Sequence, residues 1–343
     1  MVSGVKQYKT EHLVWIDWMK ALAMYCIIAG HCGVPGNEYL YVFSVPCFFI
    51  ISGFLTKREK DNHVFWRKIR DNLFVPMCIL FLINIAYHFA SLIRNDSFSP
   101  SYLIQAPVLF LIGMQGRGFP AGGLGALWYV YTLIICRILF QFIPENKQKW
   151  VLLFINLSFL LGSWLLHLHG VVVYNAFVDV LLAMPFFTIG ILLRPFRSNL
   201  CIISYPWAFL ILLIGVCGVW ICGTHNETVL LYSCGYGNNM FLCFLGSICG
   251  TSVIYALSRL LEHSPRGFAR IIGGGTLIIL GLHYPIMVQI VSKMIPLTGA
   301  WLYVEAFVIL LAFVPIIMFV KKSIPSLYGK SRIDSLPHAS LPL

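Results

Sequence analysis

The sequence predicts an all-α fold, a polytopic integral membrane bundle of about ten transmembrane helices. Composition is the first observation behind this prediction. Hydrophobic residues make up 59% of the 343 residues and charged residues 11%, and the mean hydropathy is +0.83. A soluble domain is about 45–50% apolar and about 25% charged, and a soluble protein of this size needs a more polar surface. A soluble enzyme, a disordered chain and a collagen-like fibre are therefore excluded.

The second observation is a series of long apolar stretches. A helix crosses the hydrocarbon core with about 20 mostly apolar residues. The predicted spans are residues 13–33, 39–56, 73–93, 124–143, 151–168, 177–193, 207–222, 239–260, 271–292 and 301–320. None of these stretches alternates polar and apolar residues as a barrel strand does, so helices must satisfy the backbone in lipid. The apolar run 103–114 is too short to span and is interpreted as a re-entrant or interfacial segment.

The third observation is the distribution of basic residues. With the N-terminus inside, 20 of the 24 lysines and arginines fall in inner segments, Arg137 included. Only Arg94, Arg117 and Lys293 fall in outer segments. This asymmetry follows the positive-inside rule and predicts an even number of spans with both termini in the cytoplasm. It also explains the net charge of +11 without a nucleic-acid partner. The last basic residue, Lys20, lies inside the first span.

The chain is predicted to form one transmembrane domain over residues 1–320. Residues 321–343 carry three prolines and few apolar side chains, and they are predicted to be an unstructured cytoplasmic tail. The 11 cysteines are scattered and form no C-x-x-C pair, so no metal site is predicted.

Ionisable residues within the first span are candidate functional groups, because burying charge in a membrane is costly. Asp17 and Lys20 are three residues apart and can pair on one face; alternatively, they lie at the cytoplasmic interface and extend their polar ends into it. His31 lies 11 residues after Lys20, which places both on one helical face with an axial separation of about 16 Å. They could contact two parts of one long ligand. His31 can act as a base or a nucleophile, or serve only as a structural hydrogen-bonding group.

Several segments resemble one known family. The arrangement Lys20-x10-His31, within a segment that reads W-I-D-W-M-K-A-L-A and then G-H, resembles the opening of the membrane acyltransferase family 3 proteins. These proteins are O-acyltransferases of bacterial surface glycans and their relatives. Later segments are similar to further motifs of the family, in the same order: P-C-F-F-I-I-S-G-F at 46–54, L-W-Y-V at 127–130, P-F-F-T-I-G at 185–190 and L-H-Y-P at 282–285.

The chain also departs from the family pattern. Lys20 replaces the commoner arginine and lacks its bidentate fork. Ser44 stands where some subfamilies have a histidine, so a role for that histidine does not carry over. No attached hydrolase-like domain, as some family members have, is expected. The chain is therefore expected to complete acyl transfer itself or to pass the acyl group to a separate partner.

The resemblance implies a multi-pass enzyme of the cell inner (cytoplasmic) membrane. Its donor would be an acyl-CoA, most often acetyl-CoA, bound from the cytoplasm as a co-substrate, with no metal. Its acceptor would be a hydroxyl of a lipid-linked or cell-surface glycan. His31 would deprotonate that hydroxyl or carry the acyl group transiently, with Lys20 as the second catalytic residue.

Six further residues are candidates for substrate binding: Asp17, Ser52, Lys57, Arg58, Trp128 and His283. Lys57 and Arg58 end the second span and could hold the phosphates of the donor, or could be ordinary positive-inside anchors. Ser52 could line a groove, or belong to helix packing as half of a Ser-Gly pair. Trp128 would shape the pocket or sit in an aromatic belt.

Two other classes of protein remain as alternatives. A transporter or flippase for lipid-linked sugars would also have many spans and few buried charges. It predicts an inverted internal repeat with paired broken helices, which the sequence does not display. A purely structural membrane subunit would leave Lys20 and His31 without a purpose.

Overall fold

The computed structural model describes residues 13–294 and 296–328. Over these residues the regular structure is helical, and the β pairing consists of isolated bridges. The α-helices are α1 (Val14–Cys32), α2 (Asn37–Tyr41), α3 (Ser44–Leu55), α4 (Asn62–Ile69), α5 (Val75–Arg94), α6 (Tyr102–Leu111), α7 (Trp128–Phe142), α8 (Gln148–Leu168), α9 (Ala176–Leu193), α10 (Arg197–Cys201), α11 (Tyr205–His225), α12 (Met240–Leu260), α13 (Arg266–Gly274), α14 (Thr276–Leu282), α15 (Gln289–Met294) and α16 (Leu302–Ser323).

Eight helical stretches in the described part of the chain are long and apolar enough to cross a membrane. They overlap the second to eighth predicted spans and the tenth. The stretches are Asn37–Leu55, Asn62–Arg94, Gly125–Phe142, Glu145–Leu168, Ala176–Cys201, Tyr205–His225, Met240–Leu260 and Gly299–Ser323. The predicted all-α, polytopic membrane fold is confirmed.

The first and ninth predicted spans are not among these eight long apolar stretches. The first is α1, a continuous helix of 19 residues whose hydropathy is lowered by Asp17, Lys20 and His31. The ninth is interrupted after α13, at Gly275, and again by a π-helical turn over His283–Val288. Pro285 lies within that turn and has no backbone N–H to donate. The total of ten spans, and the cytoplasmic location of the termini, therefore stay predictions.

The centre of the bundle is the close packing of α3 against α9. Two glycines allow it: a Cβ at Gly53 would overlap the carbonyl oxygen of Phe187, and a Cβ at Gly190 would overlap that of Ile50. Small residues let membrane helices approach closely in this way. The neighbouring Phe49 is completely buried. This contact fixes the position of Ser52, which precedes Gly53 on α3.

The periphery of the bundle is apolar and exposed. On α8, Trp150 and Phe154 expose 75% and 72% of their surface, and α11 exposes Trp207 and Trp220 in the same way. Large apolar side chains on the outside of long apolar helices are typical of a lipid-facing surface. The outer surface therefore accounts for the high apolar fraction of the sequence.

The C-terminal end of the bundle differs slightly from the prediction. Helix α16 continues to Ser323, past the predicted domain boundary at 320, and a turn follows over residues 325–328. Leu327 is buried in this turn. The Lys321 ammonium lies 5.8 Å from the ring centre of Tyr328. Residues 329–343, most of the predicted tail, lie outside the described residues.

Candidate active site

A cavity of about 780 Å³ lies between α1, α3, α7 and the α13–α14 region. Small-molecule sites typically occupy about 300–1,000 Å³. Five of the eight candidate residues line it: Lys20, His31, Ser52, Trp128 and His283. We call this space the central cavity. Residues separated by more than 260 positions in the chain thus meet around one volume.

The two ends of the central cavity follow from contacts between helix ends. Near the start of α1, the ring of Trp15 packs 5.7 Å from that of Phe54 at the end of α3. Arg58, just after α3, donates from Nη2 to the carbonyl oxygen of Phe140 near the end of α7, at 3.1 Å. The start of α1 and the ends of α3 and α7 therefore share one end of the molecule. This is the predicted cytoplasmic side, and we call it the inner end of the cavity.

Lys20 lies toward the inner end and His31 toward the opposite, outer end. The 11 residues between them correspond to an axial separation of about 16 Å. The backbone beside His31 is held by Tyr41, whose hydroxyl donates to the carbonyl oxygen of Gly30 at 2.9 Å. A Cβ at position 30 would lie 3.1 Å from the Tyr41 ring, so glycine permits this approach.

Aromatic and imidazole rings surround His31 at the outer end. Its ring centre lies 5.0 Å from that of His283 and 4.8 Å from that of Tyr284. Tyr284 is contributed by the π-helical turn that interrupts the ninth predicted span. Such π-helical turns are frequent at functional sites. The break in this helix therefore positions two rings against His31.

The hydrogen bonds of His283 define which of its nitrogens is free. Its Nδ1 lies 2.9 Å from the carbonyl oxygen of Ile279 and 3.0 Å from that of Leu280. Carbonyl oxygens only accept, so Nδ1 carries the proton and Nε2 of the neutral ring is an acceptor. Nε2 is buried and has no partner among the described residues. An unpaired acceptor therefore lies beside His31.

Ser52 and Trp128 form part of the cavity wall. The Ser52 hydroxyl pairs with the Tyr129 hydroxyl of α7 at 3.0 Å, and Tyr129 also donates to the carbonyl oxygen of Phe48 at 3.2 Å. Trp128 is nearly buried, with its ring centre 6.4 Å from that of Phe49. Ser52 thus lines the cavity and also joins α3 to α7. Its two predicted roles, lining a groove and taking part in helix packing, are compatible.

Three of the candidate residues do not line the central cavity. Asp17 is buried where α1 meets Gly273 of α13. Lys57 is exposed. Arg58 binds the Phe140 carbonyl oxygen, stacks 5.4 Å from the Phe140 ring centre and lies 3.7 Å from the Glu145 carboxylate. The structure therefore does not bring Lys57 and Arg58 to the cavity, and their binding of donor phosphates stays a prediction.

Arg137 corrects one part of the sequence analysis. The charge count assigned it to an inner segment, but it lies within α7 and lines the central cavity. Its Nε is buried and has no hydrogen-bond partner among the described residues. The sequence did contain the signal, since position 137 falls inside the predicted span 124–143. Lys20 is therefore accompanied by a second intramembrane cation.

The outer rim of the cavity was missed because most of its residues lie between the long helices. Gln115 donates from Nε2 to Asp179 Oδ2 at 2.6 Å and also to the carbonyl oxygen of Tyr232. Arg117 donates from Nη1 to the Tyr232 hydroxyl at 2.8 Å, and its guanidinium lies 5.0 Å from the Tyr174 ring centre. Polar loop residues of this kind have no periodicity that would place them at a site.

Metal ligation has no candidate cluster in the part of the chain that the structure describes: no group of three or more His, Cys, Asp and Glu residues is arranged to hold an ion. The polar groups that line the cavity include the imidazoles of His31 and His283, the cations of Lys20 and Arg137, and the Ser52 hydroxyl.

A helical bundle that encloses histidines and cations in one cavity defines a class, the multi-span membrane proteins with a polar site inside the bundle. The particular family follows from its sequence profile. The acyltransferase 3 family, described as an acyltransferase domain, matches residues 13–321. The chain belongs to this family and is a membrane acyltransferase. No curated protein and no solved structure matches it significantly.

Proposed function

We propose that the protein transfers an acetyl group from acetyl-CoA to a hydroxyl of a cell-surface or lipid-linked glycan, in the cell inner membrane. One observation carries the proposal: Lys20 and His31 line the same cavity at opposite ends. This arrangement supports a long donor whose anionic part lies at the inner end and whose thioester lies at the outer end. The acceptor hydroxyl then approaches the thioester from the outer side.

The length of the donor supports this placement. The acetyl-pantetheine arm of acetyl-CoA has 14 bonds between the thioester carbonyl carbon and the first phosphorus. At the dimensions of an extended chain, 14 bonds span about 15–17 Å. The axial separation of Lys20 and His31 is about 16 Å. A cation at Lys20 therefore suits the phosphates when the thioester is beside His31.

Two routes of acyl transfer fit His31. In the first, His31 takes the proton of the acceptor hydroxyl, the hydroxyl oxygen bonds to the thioester carbonyl carbon, and the C–S bond breaks as the CoA sulfur leaves and is protonated. In the second, a His31 nitrogen bonds to the carbonyl carbon, the C–S bond breaks, and the CoA sulfur leaves with the imidazole proton. The acceptor oxygen then bonds to the acyl carbon, the C–N bond breaks, and the hydroxyl proton returns to the imidazole. Rapid quenching with labelled acetyl-CoA and no acceptor separates them, since only the second route labels the protein.

Replacement of His31 tests the catalytic assignment. We expect His31→Ala to lower acetyl transfer by about 100-fold or more, the usual range for loss of a general base. Cys32→Ala is the matched control, because Cys32 is the next residue on α1 and does not line the cavity. Both variants are purified in detergent, and their melting temperatures and acetyl-CoA binding are compared with the wild type. Wild-type transfer by a folded His31→Ala variant would contradict the assignment.

The acceptor class is tested in cells. Surface polysaccharide is isolated with and without the protein, and its ester-linked acetyl groups are quantified after mild alkaline release. We expect acetyl content to fall without the protein and to return when wild-type protein, but not His31→Ala, is restored. Unchanged acetyl content would contradict a glycan acceptor. A flippase would instead change the amount of exported glycan and would show no dependence on acyl-CoA.

A further inference from the structure

Arg137 is distinguished from other arginines with a buried Nε by its lack of protein partners. Arg58 has a carbonyl oxygen and a carboxylate, and Arg259 has the carbonyl oxygen of Cys201 at 2.8 Å and the carboxylate of Glu262. Arg137 makes no hydrogen bond or ion pair with any residue in 13–294 or 296–328. Its guanidinium therefore has hydrogen-bond donors available toward the central cavity, which it lines.

A buried cation without partners is energetically costly, and the cost is offset only when an anion or several hydrogen-bond acceptors reach it. Within the spanning part of a membrane protein, such residues mark ligand pathways. The Tyr129 hydroxyl, another polar group of α7, is not available as a partner for Arg137, because it forms hydrogen bonds with Ser52 and the Phe48 carbonyl oxygen. An anion that binds Arg137 therefore has to be part of a ligand that enters the cavity.

Arg137 and Lys20 lie at the same end and at similar depth. Lys20 is six residues from the start of α1, which is about 9 Å, and Arg137 is five residues from the end of α7, which is about 8 Å. Both helix ends belong to the inner end of the cavity. The charges of the two residues act on one another, and Asp17 is the acid whose charge acts on Lys20. Two cations close to one another favour an anion with more than one charge between them.

We propose that Arg137 binds the diphosphate of the acyl-CoA donor together with Lys20. The inference rests on the proposed function and extends it, because it names the group of the donor that the inner end recognises. A planar guanidinium matches two phosphate oxygens at once, whereas the Lys20 ammonium acts as a compact charge. The pair holds the end of the pantetheine arm, so the thioester lies at the level of His31.

Donor fragments that lose their phosphates one step at a time test the inference. The probes are acetyl-CoA, acetyl-dephospho-CoA, which lacks the 3′-phosphate, and acetyl-pantetheine, which has no phosphate. Dissociation constants are measured by isothermal titration calorimetry on the purified full-length chain. We expect Arg137→Gln to weaken binding of the first two probes by about 10- to 100-fold, because the charge-assisted contact of the guanidinium with the diphosphate is lost. Binding of acetyl-pantetheine should change by less than about twofold, since no phosphate contact is lost.

Two further variants separate binding from structure. Arg266→Gln removes an exposed arginine that does not line the cavity, and it should leave all three dissociation constants unchanged. Arg137→Lys keeps the charge without the fork and should weaken the two diphosphate probes by about 3- to 10-fold. If Arg137→Gln does not fold, Arg137→Lys carries the test. Unchanged affinity for the diphosphate probes in a folded Arg137 variant overturns the inference.

The remaining outcomes are also decisive. Equal weakening of all three probes makes Arg137 a structural residue and overturns the inference. A loss that disappears with acetyl-dephospho-CoA assigns Arg137 to the 3′-phosphate and overturns the diphosphate assignment. A wild-type protein that binds acetyl-CoA and acetyl-pantetheine equally overturns the inference alone, whereas a folded wild-type protein that binds none of the three probes contradicts the acyl-CoA donor as well. A wild-type preference for acetyl-CoA that Arg137→Gln retains refutes the inference alone.

Discussion

The central cavity has an arginine at each end, and the two arginines differ in their contacts. At the outer rim, Arg117 is exposed, donates to the Tyr232 hydroxyl at 2.8 Å and lies over the rings of Tyr174 and Tyr232 at 5.0 and 5.6 Å. At the inner end, Arg137 is partly buried, and its buried Nε has no hydrogen-bond partner among the described residues. Protein groups and solvent stabilise the charge of Arg117, whereas the charge of Arg137 is available to a ligand that enters the cavity.

The contrast extends beyond the arginines. At the outer rim, Gln115 bonds to Asp179 and to the Tyr232 carbonyl oxygen, so the rim is pre-formed by its own hydrogen bonds. His283 Nε2, in contrast, is an unpaired acceptor beside His31. The inner end therefore has an unpartnered cation, Arg137, that suits binding of an anionic group. The region of His31 has an unpartnered neutral acceptor, His283 Nε2, that suits proton transfer. This difference predicts that substitutions at the two ends change different kinetic constants.

Among the substitutions that compare the two ends after His31, the largest effect is expected from removing the charge at Lys20. Lys20→Met should lower kcat/KM for acetyl-CoA by about 100-fold, mainly through KM, because a charge-assisted contact to phosphate is lost. Lys20→Arg should retain most of the activity, since it keeps the charge. Lys293→Met is the matched control: Lys293 is exposed and does not line the cavity. A fall in kcat with unchanged KM in Lys20→Met would contradict the anchoring role of the inner end.

A smaller effect is expected at His283, on the other kinetic constant. His283→Gln removes the Nε2 acceptor beside His31, and we expect kcat to fall by about 10- to 100-fold while KM for acetyl-CoA changes little. The kcat of His283→Phe should be lowered at least as much, because this variant also loses the hydrogen bonds to the carbonyl oxygens of Ile279 and Leu280. Initial rates are measured over a range of acetyl-CoA concentrations. A rise in KM alone would place His283 with the donor-binding residues and remove the distinction between the two ends.

The sequence predicted the fold class because the spans are long and their charges are sparse, which are local properties of the chain. It predicted the shared cavity of Lys20 and His31 because both lie on one helix, where spacing determines direction. Arg137 was missed because the charge count placed it with the loop that follows its span. The Arg117–Tyr232 rim and the paired state of Arg58 could not be predicted, since they depend on loops and helices meeting across the bundle. The break at His283 was not predicted, because residues 271–292 form one apolar stretch, and the π-helical turn depends on the packing of neighbouring helices.

The smallest effect is expected at the outer rim. Arg117→Gln should lower the free energy of unfolding by no more than about 1 kcal/mol, because cation–π contacts at exposed sites are weak. Its KM for acetyl-CoA should stay within about twofold of the wild type, since the Arg117 guanidinium is already engaged by the Tyr232 hydroxyl and the Tyr174 ring. Thermal melts and initial rates at low and high salt measure both quantities. A rise in KM comparable to that of Arg137→Gln would show that the outer arginine also binds the donor, and that paired and unpaired arginines in this cavity do not differ in function.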